Sequence, residues 1–128
     1  YGIGHPNILA KIMKFGCGPA SISTVAYGAV QGALQDPDHA TKSRKHVEKS
    51  RQYFEREASR LGVKTVSGVP PFILFEMGER GNDIVAELRR QKILINHAAT
   101  WNMPEYIRIS YGLESEHEAF FKAFKSII

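Results

Sequence analysis

Cysteine is almost missing from this chain of 128 residues, since Cys17 is the only one. A single thiol cannot form an internal disulfide, which excludes a disulfide-stapled domain and favours a reducing compartment, the cytoplasm. Cys17 lies between Gly16 and Gly18, and no neighbouring acid or base in the sequence would activate it as a nucleophile. We therefore interpret Cys17 as a small packed residue.

Long apolar runs are missing too, because no stretch approaches the ~18 residues that are needed to span a bilayer. The sequence also lacks a Gly-rich phosphate loop and the CxxC and HExxH motifs. Of the histidines, only His39 and His46 fall on one predicted helix, and they are two turns apart, too far to share one metal ion. We expect no membrane partner and no metal site.

The chain has no long run of charged residues of the same sign. The net charge is +4, but the basic residues are spread along the chain and mixed with acids. The densest basic group, around residues 42–51, includes Glu48 and has Glu55 close by. This mixture is typical of a solvated helix face, so we expect no nucleic-acid partner.

The spacing of apolar residues in the first half of the chain predicts three helices, over residues 6–13, 21–34 and 37–61. Asp36 can cap the third helix and Gly62 can end it.

After Gly62 the period changes to that of strands. Strands are predicted over residues 63–66, 72–77, 92–96 and 106–111, and helices over residues 83–91 and 113–128. The strand FILFEM opens with four consecutive apolar residues, which indicates burial on both faces. Ser115 and Glu118 have the spacing of a capping box at the start of the last helix. Helices followed by strands with interleaved helices predict the α+β class.

Arg108 is the candidate functional residue. Strand alternation places it with Tyr106 and Ser110 on one face, opposite Ile107 and Ile109. The planar guanidinium fork matches a carboxylate through two parallel hydrogen bonds. The pattern by itself leaves two interpretations open: an arginine that binds an external carboxylate, or a strand arginine that faces water or an internal glutamate.

The segment YIRISYGLESEHEAFFKAF around Arg108 resembles the end of fold-type-I aminotransferases of the histidinol-phosphate aminotransferase kind. There an apolar strand carries Arg, then Ser or Thr, then Gly, and acidic residues open the last helix. ELRRQKILIN, FILFEM and the start of the chain are similar to other segments of that family. The resemblance covers residues 1–128 and implies the C-terminal small domain of a longer chain, with N-terminal helices packed on a small, largely antiparallel sheet.

The resemblance also implies a function. The full-length protein would be a homodimeric aminotransferase that depends on pyridoxal phosphate and acts on an amino acid and a 2-oxo acid. Arg108 would bind the α-carboxylate of the substrate. In that family the cofactor-linking lysine and the phosphate-binding arginine would lie upstream of Tyr1. We therefore expect no catalytic and no cofactor-binding residue in this chain, which would be inactive alone, and a cofactor bound mainly by the missing large domain.

The sequence departs from the family at two positions. Enzymes specific for histidinol phosphate usually carry an arginine in the strand that matches KILIN, whereas this chain has Asn96 at about that place. Asn96 is thus a second, weaker candidate for substrate binding, and it argues against a phosphorylated substrate. Pro71 precedes Phe72 where the family often has Asn. Two alternatives stay open: a pyridoxal-phosphate decarboxylase of the same fold, and a non-enzymatic α+β module that binds a small acidic ligand or a partner protein.

Overall fold

The structure is a computed structural model that describes residues 3–16 and 21–128. The chain divides into two compact units, Tyr1–Lys42 and Ser43–Ile128. In chain order the elements are α1 (Pro6–Met13), α2 (Thr24–Gln35), α3 (Pro37–Arg60), β1 (Thr65–Val66), β2 (Phe72–Glu76), α4 (Gly81–Arg90), β3 (Asn96–His97), β4 (Tyr106–Ser110) and α5 (Glu114–Phe124). The interpretation of Cys17 as a packed residue concerns a position outside the described ranges.

Helices α1 and α2 begin at side chains that accept hydrogen bonds from the first turn. His5 Nδ1 accepts from the Asn7 N–H at 3.3 Å, and Ser23 Oγ accepts from the Ala26 N–H at 3.1 Å. Such caps satisfy donors that have no partner inside the helix. No residue of either helix is buried. Helix α1 opens at Pro6 and ends before Phe15, as predicted, and α2 begins three residues later than predicted.

Helix α3 begins and ends as its sequence predicts. Asp36 Oδ1 accepts from the His39 N–H at 3.1 Å. Beyond the last turn, Gly62 has φ +69° and the Val63 N–H donates to the Ala58 carbonyl at 2.9 Å. This is the left-handed helix end that glycine favours. The second half of α3 contributes Phe54 and Ala58 to the core.

The four described strands form one antiparallel sheet in the order β1-β2-β4-β3. We call its two sides the inner face, which is buried, and the outer face. Buried apolar side chains of the inner face join those of α3, α4 and α5 in one core. Its members are Phe54, Ala58, Ile73, Phe75, Ile84, Leu88, Ile107, Ile109, Phe120, Phe121, Ala123 and Phe124. The α+β class with an antiparallel sheet is confirmed.

The expectation that β2 is buried on both faces is wrong for this chain. Ile73 and Phe75 are buried, but Phe72 and Leu74 on the outer face are only half-buried. Neighbouring strands cover only the edges of β2, so its faces need other elements to bury them. Helices α3, α4 and α5 supply buried partners for the inner face. The outer face therefore keeps an apolar, partly exposed surface.

The predicted strand over residues 92–96 is shorter in the structure, where only Asn96–His97 pairs with β4. Lys92 has φ +64°, and the Ile93 N–H donates to the Leu88 carbonyl at 2.9 Å. These residues still belong to the C-terminal end of α4, so pairing with β4 begins only at Asn96. Ile93 and Ile95 pack against the core without pairing in the sheet.

The predicted capping box of α5 is also displaced. The Leu113 N–H donates to Glu116 Oε2 at 2.6 Å, so the reciprocal contact comes from Glu116 and not from Glu118 with Ser115. Helix α5 accordingly begins at Glu114. No helix in the described ranges combines the length and apolarity needed to cross a membrane.

Candidate functional site

Arg108 lies in the middle of a row of side chains that crosses the outer face. The register places Val66 opposite Leu74, Leu74 opposite Arg108, and Arg108 opposite Asn96. Residues directly opposite in neighbouring antiparallel strands project from the same face with Cβ atoms about 5 Å apart. The sheet therefore brings together the two candidates that the sequence analysis names, Arg108 and Asn96.

Two aromatic rings contact the guanidinium of Arg108. Its Cζ lies 4.5 Å from the centre of the Phe72 ring and 5.3 Å from the centre of the Trp101 ring. The residue is half-buried, and its buried Nε has no hydrogen-bond partner among residues 3–16 and 21–128. No carboxylate in the described ranges forms a salt bridge with it. The positive charge is thus held by ring faces and is not neutralised by an internal acid.

This arrangement can bind an anion. A guanidinium donates in its own plane to the two oxygens of a carboxylate. Partial burial lowers the effective dielectric around the charge and strengthens such a contact. The amide of Asn96 supplies a further donor or acceptor in the adjacent strand. The open alternative of an internal glutamate partner for Arg108 finds no support in the residues that the structure describes.

Phe72 and Trp101 are not among the site residues predicted from the sequence. Strand alternation places Phe72 on the same face of β2 as Leu74, but only the pairing of Leu74 with Arg108 brings that face beside the guanidinium. Trp101 carried little signal, since it follows β3 in a short 3₁₀ helix, Ala98–Trp101, that the sequence pattern predicts only as a loop.

A second polar cluster surrounds Gly112, which joins β4 to α5. His46 Nε2 donates to the Gly112 carbonyl at 2.8 Å, and the Gly112 N–H donates to His117 Nε2 at 3.1 Å. His117 must therefore be neutral and carry its proton on Nδ1. Burial, and secondly the neighbouring His46, lower the pKa of His117. The cluster also borders a cavity of about 310 Å³ on the α3 and α5 side.

The same cluster offers too few ligands for a metal ion. No group of three or more potential ligands converges anywhere in the described part of the chain. His46 and His117 each use one ring nitrogen in a hydrogen bond with the backbone of Gly112.

The described residues do not by themselves fit a site for an aldehyde cofactor. A lysine that forms a Schiff base is activated by desolvation or by a neighbouring cation. Every lysine in the described ranges is exposed. Lys11, Lys14 and Lys42 are among these exposed lysines, and we assign no cofactor role to any of them.

Comparison with known proteins defines the class. The family model for aminotransferases of class I and II matches residues 1–124. The chain belongs to this family, as its resemblance around Arg108 indicates.

Individual relatives have names that are more specific than the name of the family. The chain is 25% identical over its full length to histidinol-phosphate aminotransferase 1 of Nitrosococcus oceani and covers 34% of that protein. It is 27% identical over its full length to histidinol-phosphate aminotransferase 2 of Pseudomonas fluorescens, again covering 34% of it. The chain thus spans about a third of the length of these curated relatives.

Solved structures agree on the fold. A protein of Burkholderia pseudomallei, provisionally described as an aminotransferase, superposes with a TM-score of 0.81 at 24% identity, over 95% of this chain and 38% of that one. Histidinol-phosphate aminotransferase of Sinorhizobium meliloti, solved in complex with pyridoxal-5'-phosphate, gives a TM-score of 0.73 at 22% identity, over 84% of this chain and 31% of that one. At these identities the likeness establishes the fold alone.

Proposed function

We propose that residues 1–128 form the C-terminal small domain of a longer enzyme that depends on pyridoxal phosphate and transfers an amino group from an amino acid to a 2-oxo acid. Membership of the aminotransferase family supports this proposal. So does the match to about a third of each curated relative.

The proposed role of this chain is to bind and orient the substrate carboxylate through Arg108. The observation that carries the proposal is a half-buried guanidinium on the outer face with an unsatisfied Nε and no acidic partner in the described ranges. Because the Nε is enclosed, a bound carboxylate would pair with the terminal nitrogens of the guanidinium, which no acid in the described ranges neutralises. Holding the carboxylate fixes the orientation of the rest of the substrate and thereby lowers the entropic part of the barrier.

Asn96 is proposed as a second, weaker contact to the substrate. It lies directly opposite Arg108 in β3 and is exposed on the outer face. Its side chain is neutral, so Arg108 and Asn96 together contribute one positive charge to the site. An arginine in place of Asn96 would contribute a second. We therefore propose a substrate without a phosphate monoester, although the curated relatives named above are histidinol-phosphate aminotransferases.

The remaining parts of the enzyme lie outside this chain in the proposal. Pyridoxal phosphate, when bound, withdraws electrons from the substrate Cα. Because every described lysine is exposed, we propose that the large domain of the full-length protein holds the cofactor. We further propose that the full-length enzyme is a homodimer in the cytoplasm, as the family resemblance and the single cysteine suggest.

The test is the substitution Arg108→Ala in the full-length enzyme. A charged hydrogen bond contributes about 1.5–3 kcal/mol, and a bidentate contact uses two of them. We expect kcat/KM for amino-acid substrates to fall at least about a hundredfold. Arg108→Lys should also be poor, because an ammonium cannot reproduce the planar fork.

The matched control is Arg89→Ala, which removes an exposed arginine on α4. It should leave kcat/KM unchanged. If Arg108 had only a structural role, Arg108→Ala would lower the melting temperature while the folded enzyme kept normal kinetics. That result would refute the proposed role, and release of carbon dioxide without amino transfer would identify a decarboxylase instead.

The substrate class is tested with a kinetic panel on the same full-length enzyme. Common amino acids should be turned over with a higher kcat/KM than histidinol phosphate. A clear preference for histidinol phosphate would show that Asn96 does not exclude a phosphorylated substrate.

A further inference from the structure

The rings that contact Arg108 reach it from both sides of β4. In the order β1-β2-β4-β3, strands β2 and β3 are the two neighbours of β4. Phe72 belongs to β2, and Trp101 follows β3. Two segments that are distant in sequence therefore place aromatic faces at the same guanidinium.

The rings of Phe72 and Trp101 are the aromatic contacts of the Arg108 guanidinium among the described residues. Its Nε has no hydrogen-bond partner in the part of the chain that the structure describes, and the opposite residue in β2 is the apolar Leu74. An aromatic face attracts a cation through its quadrupole, and arginine stacks on such faces. The N–H groups point outward in the guanidinium plane, and contacts of Cζ with ring faces leave the terminal N–H groups as donors for a ligand.

We propose that Phe72 and Trp101 are positioning residues that hold the Arg108 guanidinium so that its N–H edge is ready for a carboxylate. This inference rests on the proposed function of Arg108 and adds the residues that act through it. A free arginine side chain has many rotamers, and a ligand must select one of them. Ring contacts that select the rotamer in advance lower this ordering cost and tighten binding.

The proposal predicts an effect on substrate binding that a purely structural role would not produce. Trp101 is 48% exposed, so its replacement removes little core packing. In Trp101→Ala, KM for the amino-acid substrate should rise about five- to tenfold, a size typical of a cation–π contact. The kcat value should change much less, and the conservative variant Trp101→Phe should restore most of the affinity because it keeps a ring face.

The contact itself can be observed in the 128-residue chain by NMR. Ring currents should displace the Arg108 Hε resonance, which is assigned by its loss in Arg108→Lys. Trp101→Ala and Phe72→Leu should each move this resonance toward that of an exposed arginine. Tyr106→Leu is the matched control, because Tyr106 is an aromatic residue of the outer face in β4 with no described contact to the guanidinium.

Kinetics on the full-length enzyme complete the test, with Arg108→Ala measured in the same panel. A large loss in Arg108→Ala together with the KM increase in Trp101→Ala and Phe72→Leu supports the inference. A large loss in Arg108→Ala with wild-type KM in both ring variants would overturn the inference and leave the proposed function standing. Unchanged kinetics in Arg108→Ala would overturn the proposed function and the inference with it. An Arg108 resonance that is indifferent to both ring variants would overturn the stacking, whatever the kinetics.

Discussion

At the scale of single residues, Gly112 is held by two histidines from different helices. His46 of α3 donates to its carbonyl, and His117 of α5 accepts from its N–H. A Cβ on Gly112 would overlap the carboxylate of Glu116, so that carboxylate would have to move and give up its hydrogen bond from the Leu113 N–H. The turn between β4 and α5 thus depends on a neutral imidazole at His117, which is 4% exposed.

This dependence predicts a loss of stability in acid. Burial and His46 lower the pKa of His117 in the folded chain, while Glu116 and Glu114 oppose them more weakly. The unfolded chain then binds the proton more readily than the folded chain. The free energy of unfolding should therefore decrease as the pH falls below about 6.5, the ordinary pKa of histidine. Urea denaturation of the 128-residue chain between pH 7.5 and 5.5 measures this slope.

The variant His117→Phe should flatten the slope. It keeps a ring beside Tyr53 and Phe54 but removes the titrating group. At pH 7.5 it should be less stable by about 1 kcal/mol, because the Gly112 N–H loses its acceptor. His39→Phe is the control, since His39 is exposed and its removal should leave the slope as in the wild type. A slope that survives in His117→Phe would assign the acid sensitivity to another group.

At the scale of the elements, local signals predicted both ends of α3 well and long-range contacts poorly. Asp36 and Gly62 act within a few residues of the chain, so their roles in α3 follow directly from sequence. The pairing of residues 92–96 depends on where α4 releases the chain, and the left-handed turn at Lys92 gave no sequence signal. The half-burial of Phe72 depends on which helices cover the sheet, which periodicity does not determine.

In the candidate site, too, the local features could be predicted from the sequence and the long-range contacts could not. Alternation within β4 placed Arg108 on its correct face from sequence alone. Its alignment with Asn96 required the register between β3 and β4, and its contact with Trp101 required a 3₁₀ helix after β3. These depend on the tertiary fold, so the sequence could name the charged residue but not the rings that hold it.

The end of α3 carries a prediction about stability. Gly62 has φ +69°, and a Cβ added to it would meet no other atom within 4 Å, so only backbone strain opposes a substitution there. Gly62→Ala should lower the free energy of unfolding by about 1 kcal/mol. Gly68→Ala is the control in the same unit, because Gly68 has no left-handed φ and a Cβ would meet only ordinary contact with Pro70. Gly68→Ala should be neutral or slightly stabilising, and equal losses in both variants would contradict the assigned role of Gly62.

At the scale of the whole molecule, the chain has a half-buried arginine on an apolar sheet face but no buried lysine among its described residues. We predict that the 128-residue chain gives no stoichiometric lysine adduct with pyridoxal phosphate. The measurement is reduction with borohydride after removal of excess cofactor, followed by mass spectrometry of the peptides. Scattered, substoichiometric adducts on exposed lysines are expected.

The full-length enzyme is the control for this measurement. Treated in the same way, it should carry one adduct on one lysine outside residues 1–128. A specific, stoichiometric adduct within the isolated chain would contradict the proposed division of labour between this chain and the large domain.

The alternation in β4 also constrains which changes of chain length the protein can tolerate. Deletion of Ile107 would exchange the two faces of the rest of the strand, directing the guanidinium of Arg108 toward the core and Ile109 toward water. A single-residue deletion in residues 67–70, a connection between β1 and β2, would shorten a turn and leave both faces as they are. Among natural variants of this chain, insertions and deletions should therefore occur in that turn and be absent from Tyr106–Ser110.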